Sequence, residues 1–155
     1  MAYRVEPFRV TDPAELHIQP VQVAEADVKE RLGEDDWQTI IAGGPCYSAW
    51  RDDHILCSAG VMFQWYGRGI SWMHMGDGLT IKDKVFIHRE VYAFLQRTQE
   101  DPKYQRIETT VIADFGPGHH WARKLGFVPE GMMRRYDHLG NDHVLYARVK
   151  LWAIL

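Results

Sequence analysis

WARKLGFVPEGMMRRYDHLGNDHVLYARV, residues 121–149, is the stretch whose reading decides the architecture. A short helical run, His119 to Leu125, stops at Gly126, and Phe127 opens a β-rich segment reaching Asp137. Gly126 suits the left-handed cap that turns a helix sharply into a strand, with Leu125 and Phe127 placed to plug the junction. Leu139-Gly140-Asn141-Asp142 supplies turn residues, and His143 to Lys150 returns as a second strand. The segment therefore predicts a short helix feeding a hairpin.

Working back along the chain, Ile107 to Ala113 (IETTVIA) reads as a strand, and Gly116-Pro117-Gly118 leads into the short helix. The longest helix is predicted over Thr80 to Gln99. Thr80 caps it with Asp83 as a capping-box partner, and Ile81, Val85, His88, Val91, Tyr92 and Leu95 trace its buried face. Ile70 to Met75 is a strand between the turn Gly67-Arg68-Gly69 and the break Gly76-Asp77-Gly78. Cys46 to Arg51 and His54 to Tyr66 form a hairpin across Asp52-Asp53. Two helices precede it, Ala24 to Leu32 and Asp35 to Ala42, and a strand is expected over His17 to Val23. Tyr3 to Val10 is strand-like, and Pro7 confines it to a sheet edge or an extended arm.

The expected organisation is an N-terminal extension over residues 1–16, one domain over 17–150 and an apolar tail over 151–155. Three consecutive antiparallel strands followed by two β-α units make it an α/β (α+β) domain. Its sheet should be mixed, twisted and mostly antiparallel, with helices on both faces.

Composition narrows the function classes. The 155-residue length fits one domain, and a net charge of -3 argues against general attraction to nucleic acid. No segment approaches ~20 consecutive apolar residues, so no membrane span is expected. Cys46 and Cys57 lack metal-like spacing and read as half-buried free thiols in a reducing cytoplasm, although adjacent strands leave a bridge geometrically open. Eight scattered His give no metal pattern. The surplus of Trp, Tyr and Phe suits a core plus a cleft or an interface.

The element order and the C-terminal third resemble the GNAT (general N-acetyltransferase) superfamily. Members carry a Lys-Leu-Gly-Phe-like step, a Glu-Gly, a Gly-Asn/Asp turn and a closing Leu-Tyr strand. The counterparts here are Lys124 to Phe127, Glu130 and Gly131, Gly140 to Asp142, and Leu145 with Tyr146. The Trp121-Ala-Arg-Lys-Leu-Gly-Phe version is similar to GNAT-like proteins encoded by bacteriophages, which would place the chain in a host cytoplasm.

The resemblance implies a central splay between strands 70–75 and 107–113 that holds acetyl-CoA or another acyl-CoA. The acceptor amine, small or protein-borne, would enter from the opposite side. It also implies a glycine-rich pyrophosphate loop ahead of the long helix, a ready anion site. The corresponding cofactor-binding residues are Met75, Gly76, Gly78, Thr80 and Lys82, with His120 on the short helix. The loop lacks the family's Gln or Arg lead residue and carries Asp77 instead, so an ordinary strand-to-helix turn stays open as a reading.

The family's usual thiolate-protonating Tyr falls at Ala122, and its usual Asn falls near Phe115. His119 and Tyr146 are the expected substitute acids, with His120 and Tyr136 nearby. Glu108 and His74 are the candidate bases for the amine. The acceptor pocket is expected from residues 24–44 and 132–142, including Glu25, Asp27, Glu34, Asp35, Asp36, Arg134 and Arg135. The missing Tyr and weak loop keep an alternative open, a catalytically degenerate GNAT-like protein that binds a protein partner. Leu151-Trp152-Ala153-Ile154-Leu155 could dock on a second subunit, making a homodimer, or cover its own sheet edge.

Overall fold

The computed structural model describes residues 1–150, apart from the side chains of Val23 and Glu25; the apolar tail lies outside the described residues. Seven strands form one sheet: β1 (Tyr3–Pro7), β2 (Cys46–Arg51), β3 (His54–Trp65), β4 (Arg68–Met75), β5 (Arg106–Ile112), β6 (Val128–Met133) and β7 (His143–Val149). Their order is β1-β2-β3-β4-β5-β7-β6. The helices are α1 (Asp12–Glu15), α2 (Val23–Arg31), α3 (Glu34–Ala42), α4 (Ile81–Thr98) and α5 (Gly116–Lys124). None is long and apolar enough to cross a membrane.

The chain divides into two compact units. The first comprises Met1–Met62 with Trp72–Ala93; the second comprises Phe63–Ser71 and the described chain from Phe94 onward.

In the first unit, β1 pairs antiparallel with β2 from Tyr3↔Arg51 to Pro7↔Tyr47. Pro7 ends the ladder on an edge strand, where its missing N–H costs no central hydrogen bond. Asp52 turns the β2–β3 hairpin with φ 52°, a left-handed geometry that Asp tolerates better than most side chains. Among the described residues, small apolar clusters pack this unit. Phe8, Trp37 and Cys46 pack with Ile40, Ile41 and Trp72; Leu16, Trp50 and Ile55 pack with Ile18. Both thiols are free and buried rather than half-exposed, and burial pushes Cys57 up to about 12. They are not cross-strand partners: Cys46 faces Gly60, while Cys57 faces Ala49.

Residues 17–23 do not form the expected strand. Ile18 makes a single antiparallel bridge to Gly76, and Pro20–Gln22 is a 3-10 turn running into α2. Pro20 has no N–H to extend a ladder. The Gln22 side chain extends it instead: its Nε2–H donates to Met73 O at 2.8 Å, and its Oε1 accepts from Met75 N–H at 2.9 Å.

The expected buried face of α4 is also displaced. Ile81 is 81% exposed, and Val85 and Tyr92 are exposed too, whereas Asp83, Ile87 and Leu95 are buried. Apolar periodicity misses this face because its first member is a carboxylate. Asp83 accepts from Thr80 N–H at 2.9 Å and from Tyr3 O–H at 2.9 Å, and it pairs with Arg51. The capping box itself forms as expected, with Asp83 N–H donating to Thr80 Oγ1 at 3.1 Å.

In the second unit, β5 lies antiparallel to β7 from Arg106↔Val149 to Ile112↔His143, and β6 forms the outer edge. Ile107, Leu125, Phe127 and Tyr146 are buried there. Gly126 takes φ 93° at the end of α5, which confirms the predicted cap. β6 ends at Met133 instead of reaching Asp137, because Arg135 turns with φ 51° and Asp137 gathers the following loop around its carboxylate. The expected turn at 67–69 is shorter as well. Gly67 carries the positive φ of 94°, and Arg68 and Gly69 already pair with Arg106 and Ile107.

Candidate functional site

The second unit contains the parallel β4–β5 ladder. It has three residue pairs, Arg68↔Arg106, Gly69↔Ile107 and Ile70↔Glu108, and then stops. At the stop, Ser71 Oγ–H donates to the Glu108 carbonyl at 3.0 Å, so a side chain satisfies the acceptor that a longer ladder would use. Glu108 itself is an ion-pair clamp rather than the expected base. Its carboxylate takes Arg68 Nε–H at 2.6 Å, Arg68 Nη2–H at 2.8 Å and Arg106 Nε–H at 2.8 Å. Arg68, with help from Arg106 and against the upward push of burial, holds it at about 2. A carboxylate so acidic has little affinity for an amine proton.

His119 and Tyr146, two of the expected acids, do come together. Their Nδ1 and hydroxyl lie 2.7 Å apart, and His119 Nε2 lies 2.8 Å from the Ala113 carbonyl. A carbonyl only accepts, so Nε2 carries a proton. In the neutral ring Tyr146 then donates to Nδ1; in the imidazolium Nδ1–H donates to Tyr146 and frees the phenolic proton to point elsewhere. Tyr146 is 1% exposed on β7, opposite Thr109 of β5. Ala122, at the family's usual Tyr position, is buried on α5, and His120 is exposed.

The same β5 strand carries a second hydroxyl–imidazole contact that no sequence motif announced. His143 Nδ1 lies 3.2 Å from Thr110 Oγ1, and its Nε2 lies 2.9 Å from Asp137 Oδ2. Asp137 also accepts from Leu139 N–H, Asn141 N–H and Asn141 Nδ2–H at 2.9–3.0 Å. Burial raises its pKa, but His143 and these donors outweigh that and leave it well below the usual carboxylate range. The one available signal was Asp137 placed six residues ahead of His143 across a Gly-Asn turn.

In the first unit, the presumed pyrophosphate turn is well formed but largely committed. Gly76 N–H donates to Leu56 O at 2.8 Å, and a Cβ on Gly76 would sit 2.6 Å from that oxygen, so only glycine fits. Asp77 N–H donates to His17 O at 2.8 Å, and Gly78, at φ 66°, donates to the Asp77 carboxylate at 2.9 Å. Met75 is held by Gln22 and Gln19, and Thr80 N–H by Asp83. The amides of Ile81 and Lys82 open the first turn of α4, where a helix leaves N–H groups without intrahelical partners. Lys82 is exposed beside them. His74, the other expected base, packs edge-on to Trp37 at 6.1 Å and against Trp72 at 5.5 Å. Burial, and then the charge of Lys29, pushes it down to about 4, too weak to hold a proton near neutrality.

Among the acidic residues expected to attract an amine, Asp36 spends its carboxylate on Gly33 N–H at 2.8 Å, capping α3. The Glu25 side chain falls outside the described residues. Among the described residues no group of three or more His, Cys, Asp or Glu could hold a metal ion.

No family model and no curated protein matches this sequence. Solved structures do match across nearly the whole chain. A GNAT-family acetyltransferase from Streptococcus pneumoniae is 14% identical, with a TM-score of 0.73 over 96% of this chain and 99% of that one. A Bacillus subtilis acetyltransferase in complex with CoA is 15% identical, with a TM-score of 0.70 over 97% and 100%. A spermidine N-acetyltransferase chimera from Vibrio cholerae and hSSAT is 8% identical, with a TM-score of 0.69 over 95% and 95%. At such identities the likeness speaks for architecture alone: this chain has the GNAT fold.

Proposed function

We propose that the chain is an acyl-CoA-dependent N-acyltransferase that moves an acetyl group from a CoA thioester to an amine by direct attack. The observation that carries this reading is the parallel β4–β5 ladder stopping after three pairs, in a fold shared with an acetyltransferase solved with CoA. Acetyl-CoA, or another acyl-CoA, supplies the thioester. Ile81 and Lys82 at the start of α4, with the Thr80 hydroxyl, are the residues suited to its phosphates. In this reading the His119–Tyr146 pair, with half-buried His119 as its more accessible member, gives a proton to the departing thiolate in place of the Tyr that Ala122 replaces.

The acceptor is a primary amine, either a polyamine-like small molecule or a protein amine, and the cytoplasm is the compartment that supplies acyl-CoA. Two observations favour a second reading, a GNAT-fold protein that binds a partner without catalysis. The turn amides of Gly76, Asp77 and Gly78 are already bonded, and Gln22 bonds Met73 and Met75.

Thermal unfolding with and without acetyl-CoA tests the first reading. A working site gains about 2.7 kcal/mol at a hundredfold excess over Kd, a rise of roughly 5–10 °C for a chain of this size. An unchanged midpoint at millimolar acetyl-CoA would leave the partner-binding reading in its place.

A further inference from the structure

Thr109 and Thr110 are neighbours on β5, so their side chains leave opposite faces of the sheet. Thr109 stands across the β5–β7 ladder from Tyr146, the residue paired with His119. Thr110 faces the other way, onto the chain Thr110–His143–Asp137. A single strand thus carries one hydroxyl–imidazole pair on each face. We infer that the Thr110–His143–Asp137 chain is the proton acceptor for a primary amine substrate arriving in its ammonium form. The inference rests on the acyltransfer reading above.

Hydrogen-bond logic sets the direction of the relay. A carboxylate only accepts, so His143 Nε2 carries the proton that Asp137 receives. The neutral ring then has its lone pair on Nδ1, and Thr110 is the donor to it. At 3.2 Å that bond is at the long end of its range, as catalytic bonds often are before substrate binds. His143 is 3% exposed, so Thr110, half-buried, is the reachable end of the chain. Also facing His143 are the Tyr136 ring at 5.0 Å, Met133, its partner across the β6–β7 ladder, and Ile112, its partner across the β5–β7 ladder. Asp142, next to it in sequence, is occupied by Arg135 N–H at 2.8 Å. Asp137 is therefore the one carboxylate hydrogen-bonded to the ring, aligned to stabilise an imidazolium.

An ammonium proton moves to Thr110 Oγ1 while the Thr110 proton moves to His143 Nδ1, leaving a neutral amine and an imidazolium between Thr110 and Asp137. The amine lone pair attacks the thioester carbon, the C–N bond forms, and the C–S bond breaks with its electron pair leaving on sulfur. Sulfur takes a proton from the His119–Tyr146 pair, whose half-buried member is His119. The nitrogen's second proton passes to solvent, from which the Tyr146–His119 pair is restored, and the His143 imidazolium returns its proton to solvent through Thr110, so that one proton is released per turnover.

Steady-state thiol release is the test, with acetyl-CoA and spermidine, a lysine peptide or a peptide with a free N-terminus, from pH 6 to 9. Thr110→Val keeps the side chain's shape and removes the relay hydroxyl. It should lower kcat at least tenfold with KM within threefold and keep the wild-type melting temperature. Thr110→Ser should restore most of the rate. His143→Gln should lower kcat by a similar factor; should that variant fail to fold, the two Thr110 variants decide alone. Turnover by Thr110→Val within threefold of wild type on the same pH profile would overturn the relay and leave the transferase standing. Absence of thiol release by the wild-type protein with every amine would overturn both.

Discussion

The two turns that lead from the central strands into helices, Met75 to Ile81 and Ala113 to His119, are built on opposite plans. The first has the glycine signature of an anion-binding loop, and its backbone donors are largely spent within the protein: Gly76 on Leu56, Asp77 on His17, Gly78 on Asp77 and Thr80 on Asp83. The second has no acidic residue in its first helical turn and no side chain capping Phe115, yet it delivers His119 to Tyr146. Glycine spacing thus reports where a backbone must bend or approach closely, as at Gly76 and Gly78. It does not report whether the amides so exposed remain free. An internal carboxylate, Asp83, already stands at the positive end of α4, the place a cofactor phosphate would seek.

The largest expected effect removes that internal anion. Asp83 is fully buried and gathers the Thr80 amide, Tyr3 and Arg51. Burial pushes its pKa up, but the Thr80 amide, Arg51 and Tyr3 outweigh it and bring the carboxyl down to about 2. Asp83→Ala loses the helix cap and strands several buried partners, a cost of about 2–4 kcal/mol measurable as the shift of the urea midpoint. A loss below about 1 kcal/mol would mean that the first turn is not organised by Asp83, and the contrast between the turns would fail.

A smaller effect concerns the strand leading into that turn. Gly76 N–H points to β3, so by alternation Met75 and Met73 offer their backbone groups at the opposite edge, where the Gln22 amide meets them. The pantetheine arm of CoA carries two amides able to make the same bonds. Gln22→Ala should therefore tighten acetyl-CoA binding three- to tenfold while costing about 1 kcal/mol of stability. Isothermal titration beside thermal unfolding reads both. Weaker binding in the variant would show that Gln22 supports the ligand rather than standing in its place.

Much of the fold was legible because punctuation residues did local work. Gly126 capped α5, Thr80 and Asp83 capped α4, and Pro7 marked an edge. Two of the failures share a cause: a polar side chain took a role that apolar periodicity or backbone pairing ordinarily fills. Gln22 replaced the end of an expected strand, and Asp83 replaced the first apolar residue of the buried α4 face. The candidate site was less legible than the fold. His119 and Tyr146 could be named singly, but their contact spans 27 positions, and Glu108 looked like a base until Arg68 and Arg106 closed on it. Asp137 and His143 are near in sequence, yet only the loop geometry aims one at the other.

The smallest predicted effect isolates charge from geometry at the first turn. Asp77 is exposed, and its carboxylate accepts Gly78 N–H at 2.9 Å. Asn at this position keeps an oxygen for that bond and removes the negative charge, so the backbone of the turn should hold. A phosphate near the start of α4 would then escape a repulsion of about 0.3–1 kcal/mol, the range for an exposed charge at a helix terminus. Asp77→Asn should accordingly tighten acetyl-CoA binding about two- to fivefold at 50 mM salt. The gain should shrink at 0.5 M salt, where the screening length falls to about 4 Å. Dephospho-CoA, which keeps the pyrophosphate and lacks the 3′-phosphate, should gain as much as CoA if the pyrophosphate is the group that Asp77 repels. A gain indifferent to salt would instead point to a rearranged turn, and the amides of Gly76 and Gly78 would have to be counted again as donors.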